Sequence, residues 1–297
     1  MKDIILVPSY FRPEYLFLCL ERIRNADRGS VDSEIWVCQD FRFEDQHRHK
    51  LGIDWTTEVL DYWRPRLPIR FVQRSAHGFE GNSRNVLEAY KEAAAIENVR
   101  YIYLVEDDVL VQPDFFTWHE AVQLDGDYMC SVAYRCSRNA EARTDVTDPS
   151  AYFTSARDYA SVGVCWRREK LGPVVAHASA DYYRDTSAYM QRTFPGNRFA
   201  GDFSEQDGLI MRVMWETRGV VAWPYVPRAY HMGWYGYHRP DGRRPDGLLQ
   251  DKIAKLRTII HDAEKIKNVS FNFGDIEPCP TEPNAPFSKL YKVQEFL

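Results

Sequence analysis

Three adjacent carboxylates, Glu106, Asp107 and Asp108, follow an apolar run that begins at Tyr101. Acidic side chains at the end of a buried strand repel one another and resist the loss of their water. A divalent cation such as Mg²⁺ or Mn²⁺ would relieve that cost, because these hard ions prefer carboxylate oxygens and keep sites for water and phosphate oxygens. The simpler alternative is a solvated strand end that caps the following helix. The surrounding chain must decide between the two.

Further polar residues follow the predicted strands. Ser9 and Arg12 come after the first strand, Asp40 after the second, and Arg84 in the segment after the third. Because ligands of open α/β sheets collect at the carboxyl ends of the strands, these side chains are expected to converge with the triplet. The sequence has neither GxxxxGK[ST] nor GxGxxG, so a nucleotide held there would depend on a metal to bind its diphosphate. Asp40 can serve a base or ribose, or can be an ordinary turn or helix-cap aspartate.

A second group of candidates lies downstream. Glu205 and Asp207 open a predicted helix, where carboxylates are ordinary caps. The functional alternative makes Asp207 a general base for an acceptor hydroxyl, with Glu205 as the second candidate. His231 and Arg239 lie in a stretch rich in Gly and aromatic residues that suits a loop closing over a ligand. His231 is either a metal or phosphate ligand or a structural histidine, and Arg239 either contacts phosphate or belongs to a solvated basic loop.

The elements that must position these residues alternate between strand and helix signals through the first two-thirds of the chain. That alternation predicts an α/β fold, with a mostly parallel central sheet flanked by helices. Residues 1–230 are expected to form one domain, and 231–297 a C-terminal extension that packs on it and includes an active-site loop. Strands are predicted at 4–8, 34–39, 69–73, 101–105, 128–134, 159–166 and 220–225, a polar loop at 135–150, and helices at 14–24, 54–63, 82–95, 115–124, 205–218 and 249–266.

The composition limits the class of protein. With 297 residues, of which 44% are hydrophobic, the chain can bury a sizeable core, and its net charge of −5 disfavours indiscriminate binding of nucleic acid. The N-terminus enters a strand near Ile4 without a signal-peptide pattern, and no apolar window reaches the length of a membrane span. The six cysteines are scattered and form no CxxC pair, which indicates reduced core residues. A cytoplasmic location is therefore expected.

Four segments together resemble the GT-A glycosyltransferases, and most closely the N-acetylglucosaminyltransferase I family (glycosyltransferase family 13). The acidic triplet with the PDFF that follows it is the most specific of them, and the others support it by their order and spacing. The segments are Arg12-Pro13-Glu14, Val37-Cys38-Gln39-Asp40, Val105-Glu106-Asp107-Asp108 with Pro113-Asp114-Phe115-Phe116, and Glu205-Gln206-Asp207 followed by Pro227 to Gly233.

The resemblance implies a Rossmann-like GT-A fold that binds a nucleotide-sugar donor, with a UDP-sugar expected. It assigns nucleotide contacts to Arg12 and Asp40, and ribose and donor-sugar contacts to Glu106 and Asp107. It makes Asp108 the ligand of a divalent cation, Mn²⁺ or Mg²⁺. That cation would offset the charge that develops on the leaving diphosphate.

On the acceptor side, the resemblance makes Asp207 the base that deprotonates the acceptor hydroxyl, with inversion at the anomeric carbon. Gln206-Asp207 stands here where the family has an Asp-Asp pair. Trp166 is expected either to pack against a sugar face or to be a core aromatic. Small metabolites, glycan or lipid-linked precursors, proteins and hydroxymethylated bases in DNA all remain candidate acceptors. The competing hypotheses are a glycoside hydrolase with two carboxylates and a binding module without turnover.

Overall fold

The computed structural model describes residues 1–10, 13–29, 32–40, 46–74, 81–134, 146–196 and 205–231. Two predicted site residues, Arg12 and Arg239, lie outside these ranges. So do the helix predicted at 249–266, all of the predicted C-terminal extension except His231, and most of the loop predicted at 135–150.

The described residues include ten strands and eight α-helices. The strands are β1 (Lys2–Ser9), β2 (Ser33–Gln39), β3 (Ile69–Gln73), β4 (Val99–Leu104), β5 (Val109–Val111), β6 (Cys130–Val132), β7 (Tyr152–Ser155), β8 (Val164–Arg167), β9 (Val221–Pro224) and β10 (Ala229–His231). The helices are α1 (Pro13–Asn25), α2 (Gln46–Trp63), α3 (Asn82–Ala94), α4 (Phe115–Asp125), α5 (Gly172–Val175), α6 (Ala180–Arg184), α7 (Thr186–Thr193) and α8 (Gln206–Thr217).

Eight of these strands form one sheet in the order β3-β2-β1-β4-β8-β6-β9-β7. The first four strands in that order are mutually parallel, and β6 is also parallel to β9. The strands β8 and β7 pair antiparallel with their neighbours. A separate antiparallel pair joins β10 to β5. The predicted α/β fold with a mostly parallel central sheet is thus confirmed.

The central strand β1 explains why helices cover both faces of the sheet. Its residues Ile4 to Val7 are all fully buried, as expected of a parallel strand with no solvent-facing side. Successive side chains of a strand point to opposite faces, so Ile4 and Leu6 pack with α3 and α8, whereas Ile5 and Val7 pack with α1 and α2. The carboxyl ends of β1, β2 and β4 therefore meet at one edge, between two layers of helices.

Most predicted elements are found, with shifted ends. The strands predicted at 4–8, 34–39, 69–73, 101–105, 128–134 and 220–225 correspond to β1, β2, β3, β4, β6 and β9. The strand predicted at 159–166 is wrong in its first half, because Gly163 has a φ of +65° and interrupts the extended backbone before β8. The prediction missed β5, β7, β10 and α5 to α7, which are short and carry weak periodicity.

Four cysteines fall within the described ranges, and all of them are buried free thiols, as the sequence predicts: Cys19, Cys38, Cys130 and Cys165. Among the helices that the structure describes, none has the length and hydrophobicity needed to cross a membrane.

The Gly163 turn gives a test of the packing at the head of β8. A Cβ added at Gly163 would lie 3.0 Å from both Ala229 Cβ and Phe115 Cε2, whereas Gly29, with a φ of +62°, has nothing within 4 Å. Gly29→Ala is expected to cost about 1 kcal/mol for its left-handed backbone. Gly163→Ala is expected to cost about 2 to 4 kcal/mol, because it adds overpacking to the same strain. Urea denaturation measures both, and equal losses would contradict the packing argument.

Candidate functional site

The ends of β1, β2 and β4 are held in register beyond the strands themselves. The backbone N–H of Asp40 donates to the Ser9 carbonyl at 2.8 Å, and that of Asp107 donates to the Pro8 carbonyl at 3.2 Å. Ser9, Asp40 and Asp107 are all buried. The structure therefore brings these three predicted residues to one edge of the sheet.

The acidic triplet forms the tight turn between β4 and β5. The Val109 N–H donates to the Glu106 carbonyl at 2.9 Å, which closes the turn. Glu106 is half-buried, but Asp107 is 1% exposed and Asp108 5% exposed. Two of the three carboxylates are therefore removed from water, and the alternative of a solvated strand end is wrong for them.

A thiol lies beneath this turn. Cys19 of α1 places its Sγ 3.7 Å from the Glu106 carbonyl oxygen. Burial, and next the negative charges of Asp107 and Asp108, raise the pKa of the Cys19 thiol well above its usual value. The thiol therefore stays neutral and adds no further negative charge under the carboxylates.

His231 meets the triplet through the pairing of β10 with β5. The register sets His231 opposite Val109, the residue after Asp108. Its Nε2 lies 3.2 Å from Asp108 Oδ2, and the His231 side chain is 36% exposed against 7% for Asp108. The two side chains that the sequence predicts as metal ligands are thus in contact.

The contact between Asp108 and His231 supplies one oxygen and one nitrogen ligand for a divalent cation. Within the described ranges no group of three or more His, Cys, Asp or Glu side chains is arranged to hold a metal. A cation that binds nucleotide phosphates commonly takes only one or two protein ligands and completes its shell with phosphate oxygens and water. The pair fits that kind of site, and it equally forms an ion pair when the imidazole is protonated.

The first turn of α3 connects the triplet to α8. Asn82 Nδ2 lies 3.5 Å from Glu106 Oε1. The next residue, Ser83, donates from Oγ to Gln206 Oε1 at 2.8 Å and accepts from the Gln206 backbone N–H at 3.2 Å. Arg84 follows in the same turn and is partly exposed. Consecutive residues of one helix thus hold the strand-end carboxylates and the start of α8 side by side.

Asp207 does not cap its own helix. Glu205 is the N-cap residue of α8, is exposed, and makes no side-chain capping bond. Asp207 Oδ2 accepts a hydrogen bond from Ser161 Oγ at 3.3 Å, while Oδ1 is buried without a hydrogen-bond partner in the described part of the chain. Burial raises the pKa of Asp207 to about 6, opposed by the hydrogen bonds from Ser161 and reinforced by the charge of Glu205. A carboxyl group with this pKa is suited to accept a proton near neutral pH.

Trp166 is placed in the core rather than in the site. It is 0% exposed, and its Nε1 donates to the Tyr90 hydroxyl at 3.1 Å. The predicted sugar contact is therefore corrected to a core aromatic, because β8 lies inside the sheet and α3 covers this face.

Sequence reasoning missed Ser161, Asn82, Ser83 and Gln206 as residues of the site. The contact between Ser83 and Gln206 joins residues 123 positions apart, and that between Ser161 and Asp207 joins residues 46 apart. The available signal was a pair of polar residues, Asn82 and Ser83, at the start of a predicted helix. Nothing local in the sequence indicates their partners.

No family model matches the chain, and no curated protein matches it. Among solved structures the chain is similar to S. aureus TarS 1–349 (14% identity, TM-score 0.46), and covers 75% of its own length but only 58% of that chain. It is similar to the galactosyltransferase LgtC in complex with donor and acceptor sugar analogues, with 13% identity and a TM-score of 0.42. That match covers 71% of this chain and 70% of LgtC. It is also similar to the mannosyltransferase PcManGT from Pyrobaculum calidifontis in complex with GDP-Man and Mn²⁺, with 14% identity and a TM-score of 0.45. That match covers 94% of this chain and 66% of PcManGT. At these identities and TM-scores the likenesses assign neither a donor nor an acceptor.

The contact between α3 and α8 can be tested without an activity assay. Ser83→Ala leaves the Gln206 amide oxygen and backbone N–H buried without their partner, so a loss of about 1 to 2 kcal/mol is expected. Ser150→Ala is the control, because the Ser150 hydroxyl bonds to Asp148 at the surface, where the expected loss is below about 0.5 kcal/mol. Chemical denaturation of both variants gives the comparison, and a Ser83→Ala variant as stable as Ser150→Ala would show that the link contributes nothing.

Proposed function

We propose that the protein is a metal-dependent inverting glycosyltransferase that moves a sugar from a nucleotide-diphosphate donor, expected to be a UDP-sugar, to an acceptor hydroxyl. One observation carries the proposal. The first turn of α3 touches both Glu106, in the strand-end triplet, and Gln206, beside Asp207. Sugar transfer needs two such neighbouring functions, a place for a diphosphate-linked donor and a base for the acceptor.

On the donor side, the strand ends supply the residues. Asp40 together with Arg12 would contact the nucleotide, and Glu106 with Asp107 the ribose and donor sugar. Asp108 and His231 would hold the divalent cation, which supplies Lewis-acid stabilisation of the leaving diphosphate when bound. Ser9, Arg84 and Arg239 complete the proposed donor-binding set.

On the acceptor side, Asp207 takes the proton from the acceptor hydroxyl. The hydroxyl oxygen then forms a bond to the anomeric carbon while the bond from that carbon to the diphosphate oxygen breaks on the opposite face. The electron pair leaves with the diphosphate, and the configuration inverts. Glu205 is exposed at the N-terminus of α8 and is proposed to contact the acceptor.

The finer assignments rest on the sequence. Membership of the N-acetylglucosaminyltransferase I family, a catalytic domain at 1–230 and an extension at 231–297 are part of the proposal. A cytoplasmic location is proposed from the four buried free thiols. The acceptor class, whether glycan, small molecule, protein or hydroxymethylated DNA, is to be found with an acceptor panel. Duplex DNA is to be tested across a salt series, since contacts to phosphates weaken steeply as salt rises.

Removal of the Asp108 carboxylate tests the cation site. Asp108→Ala is expected to weaken Mn²⁺-dependent binding of UDP and UDP-sugars by about tenfold or more, because it removes a negatively charged ligand. Asp61→Ala, at an exposed position of α2, is the charge-matched control and should bind like the wild type. Calorimetric titration with and without Mn²⁺ measures the difference, and unchanged Mn²⁺-dependent binding in Asp108→Ala would remove Asp108 from the proposed site.

The pH dependence of transfer tests the base. Because only the ionised carboxylate accepts a proton, kcat/KM should rise with pH through about 6, the pKa of Asp207, and then level off. Asp207→Asn should keep donor binding and lose about 100-fold or more in transfer. A fully active Asp207→Asn variant would exclude Asp207 as the base.

The same pKa predicts an effect on stability. Since the folded-state pKa of about 6 lies above the ordinary value of 3.8, the contribution of Asp207 to stability is complete below about pH 4 and is lost as the pH rises through 6. Asp207→Asn should therefore lose less stability than the wild type between pH 4 and pH 8. The free energies of unfolding at both pH values measure this independently of any substrate.

A further inference from the structure

The turn that precedes β8 is fixed by close packing. Gly163 takes a left-handed conformation there, and a Cβ at this position would lie within 3.1 Å of atoms of Ala229, Phe115 and Ala133. The Ala133 N–H also donates to the Gly163 carbonyl at 2.7 Å. Ser161, two residues earlier, is 7% exposed. Its hydroxyl therefore points from a turn that is anchored to β6, α4 and β10 at once.

Ser161 reaches Asp207 from this turn. Its Oγ donates to Asp207 Oδ2 at 3.3 Å, and its backbone also hydrogen-bonds the carboxylate. Asp207 Oδ1 is buried and makes no hydrogen bond to any described residue. The hydrogen bonds engage one carboxylate oxygen, and the other has no partner among the described residues.

We propose that Ser161 is a positioning residue for Asp207, which holds Oδ2 so that Oδ1 is presented to the proton of the acceptor hydroxyl. This inference rests on the proposed function and adds to it the residue that orients the base. A hydroxyl that donates to a carboxylate favours the ionised form, so Ser161 also sets the pH at which Asp207 works.

The other titratable groups that the structure describes around Asp207 come from three further segments. Tyr90 lies on α3, Tyr159 precedes the Ser161 turn, and Tyr182 lies on α6. Burial raises the pKa of each of these phenols, and the Asp207 charge adds to that shift, so all three stay neutral at working pH. Of the described residues, Glu205 at the start of the same helix is the charged neighbour, and its carboxylate raises the pKa of Asp207. The hydrogen bonds from Ser161 therefore oppose the rise in the Asp207 pKa that burial and the charge of Glu205 cause.

Substitution of the hydroxyl tests the assignment by its effect on the pH profile. Ser161→Ala should move the acidic limb of kcat/KM upward by about one pH unit, since one hydrogen bond to a charged group is lost. At pH 6 transfer should fall several-fold, and at pH 8 most of it should return, with donor affinity unchanged. Ser161→Thr keeps the hydroxyl, so the acidic limb of kcat/KM should lie at its wild-type pH in this variant.

Ser155→Ala is the matched control. Ser155 is also buried and donates from Oγ to a carboxylate, that of Asp158, at 3.1 Å, but neither residue has a role in the proposed reaction. Its removal should leave the pH profile unchanged. Thermal unfolding checks that each variant folds. Ser161→Cys, with nearly the same volume and a weaker donor, replaces Ser161→Ala if the alanine variant does not fold.

A titration of the Asp207 carboxyl carbon by NMR separates this inference from the proposed function. The signal is assigned by its loss in Asp207→Asn. A midpoint that rises in Ser161→Ala and not in Ser155→Ala supports the positioning role, whereas identical midpoints in wild type and Ser161→Ala overturn it. If the wild type transfers no sugar from any donor, the proposed function fails, and the NMR midpoint still decides whether Ser161 controls Asp207.

Discussion

The burial of adjacent carboxylates at the end of a parallel strand is the constraint on which the rest of this site depends. Asp107 and Asp108 are almost completely removed from water, and like charges at neighbouring positions raise each other's energy. The surrounding chain is arranged to reduce that cost. Pairing of β10 with β5 brings the His231 imidazole to Asp108, and the thiol of Cys19 beneath the turn stays neutral. The short second sheet therefore has an electrostatic role, because without it Asp108 would face the interior without this partner.

The two carboxylates of the proposed reaction are placed in different environments. Asp108 lies against the imidazole of His231, which can form an ion pair with it or share a cation with it. Asp207 is half-buried, with its Oδ1 fully covered, near Glu205 and neutral phenols, and this environment raises its pKa toward the pH at which a base works best. The first turn of α3 keeps both groups close through Asn82 and Ser83. The fold thus gives the two carboxylates of the proposed reaction different surroundings, in keeping with cation binding by Asp108 and proton transfer by Asp207.

The sequence was sufficient for the elements whose signals are long and continuous. The apolar run of β1 and the helical stripe of α3 predicted both elements and their order, and the polar residues after β1, β2 and β4 do meet at one edge. The sequence did not predict the contacts that join distant segments. Nothing near Ser161 indicates Asp207, and the three-residue strands β5 and β10 become visible only once paired. For Trp166 the sequence suggested a sugar contact that the structure does not support. An aromatic residue in a strand can face a ligand or pack in the core, and only the tertiary structure shows that Trp166 is in the core.

The proposed donor and acceptor sides are also held by different kinds of structure. Ser9, Asp40 and Asp107 are fixed by backbone hydrogen bonds between parallel strands, which constrain them together. Asp207 is fixed by a helix start and by the Gly163 turn, whose packing against Ala229 and Phe115 sets where Ser161 lies. A substitution in that turn would therefore displace Ser161 and its contact with Asp207, and through Ala229 it would also press on β10, which carries His231. Because the proposed transfer depends on the distance between base, acceptor and anomeric carbon, the turn before β8 is a place where one substitution would affect both Asp207 and the strand that carries His231.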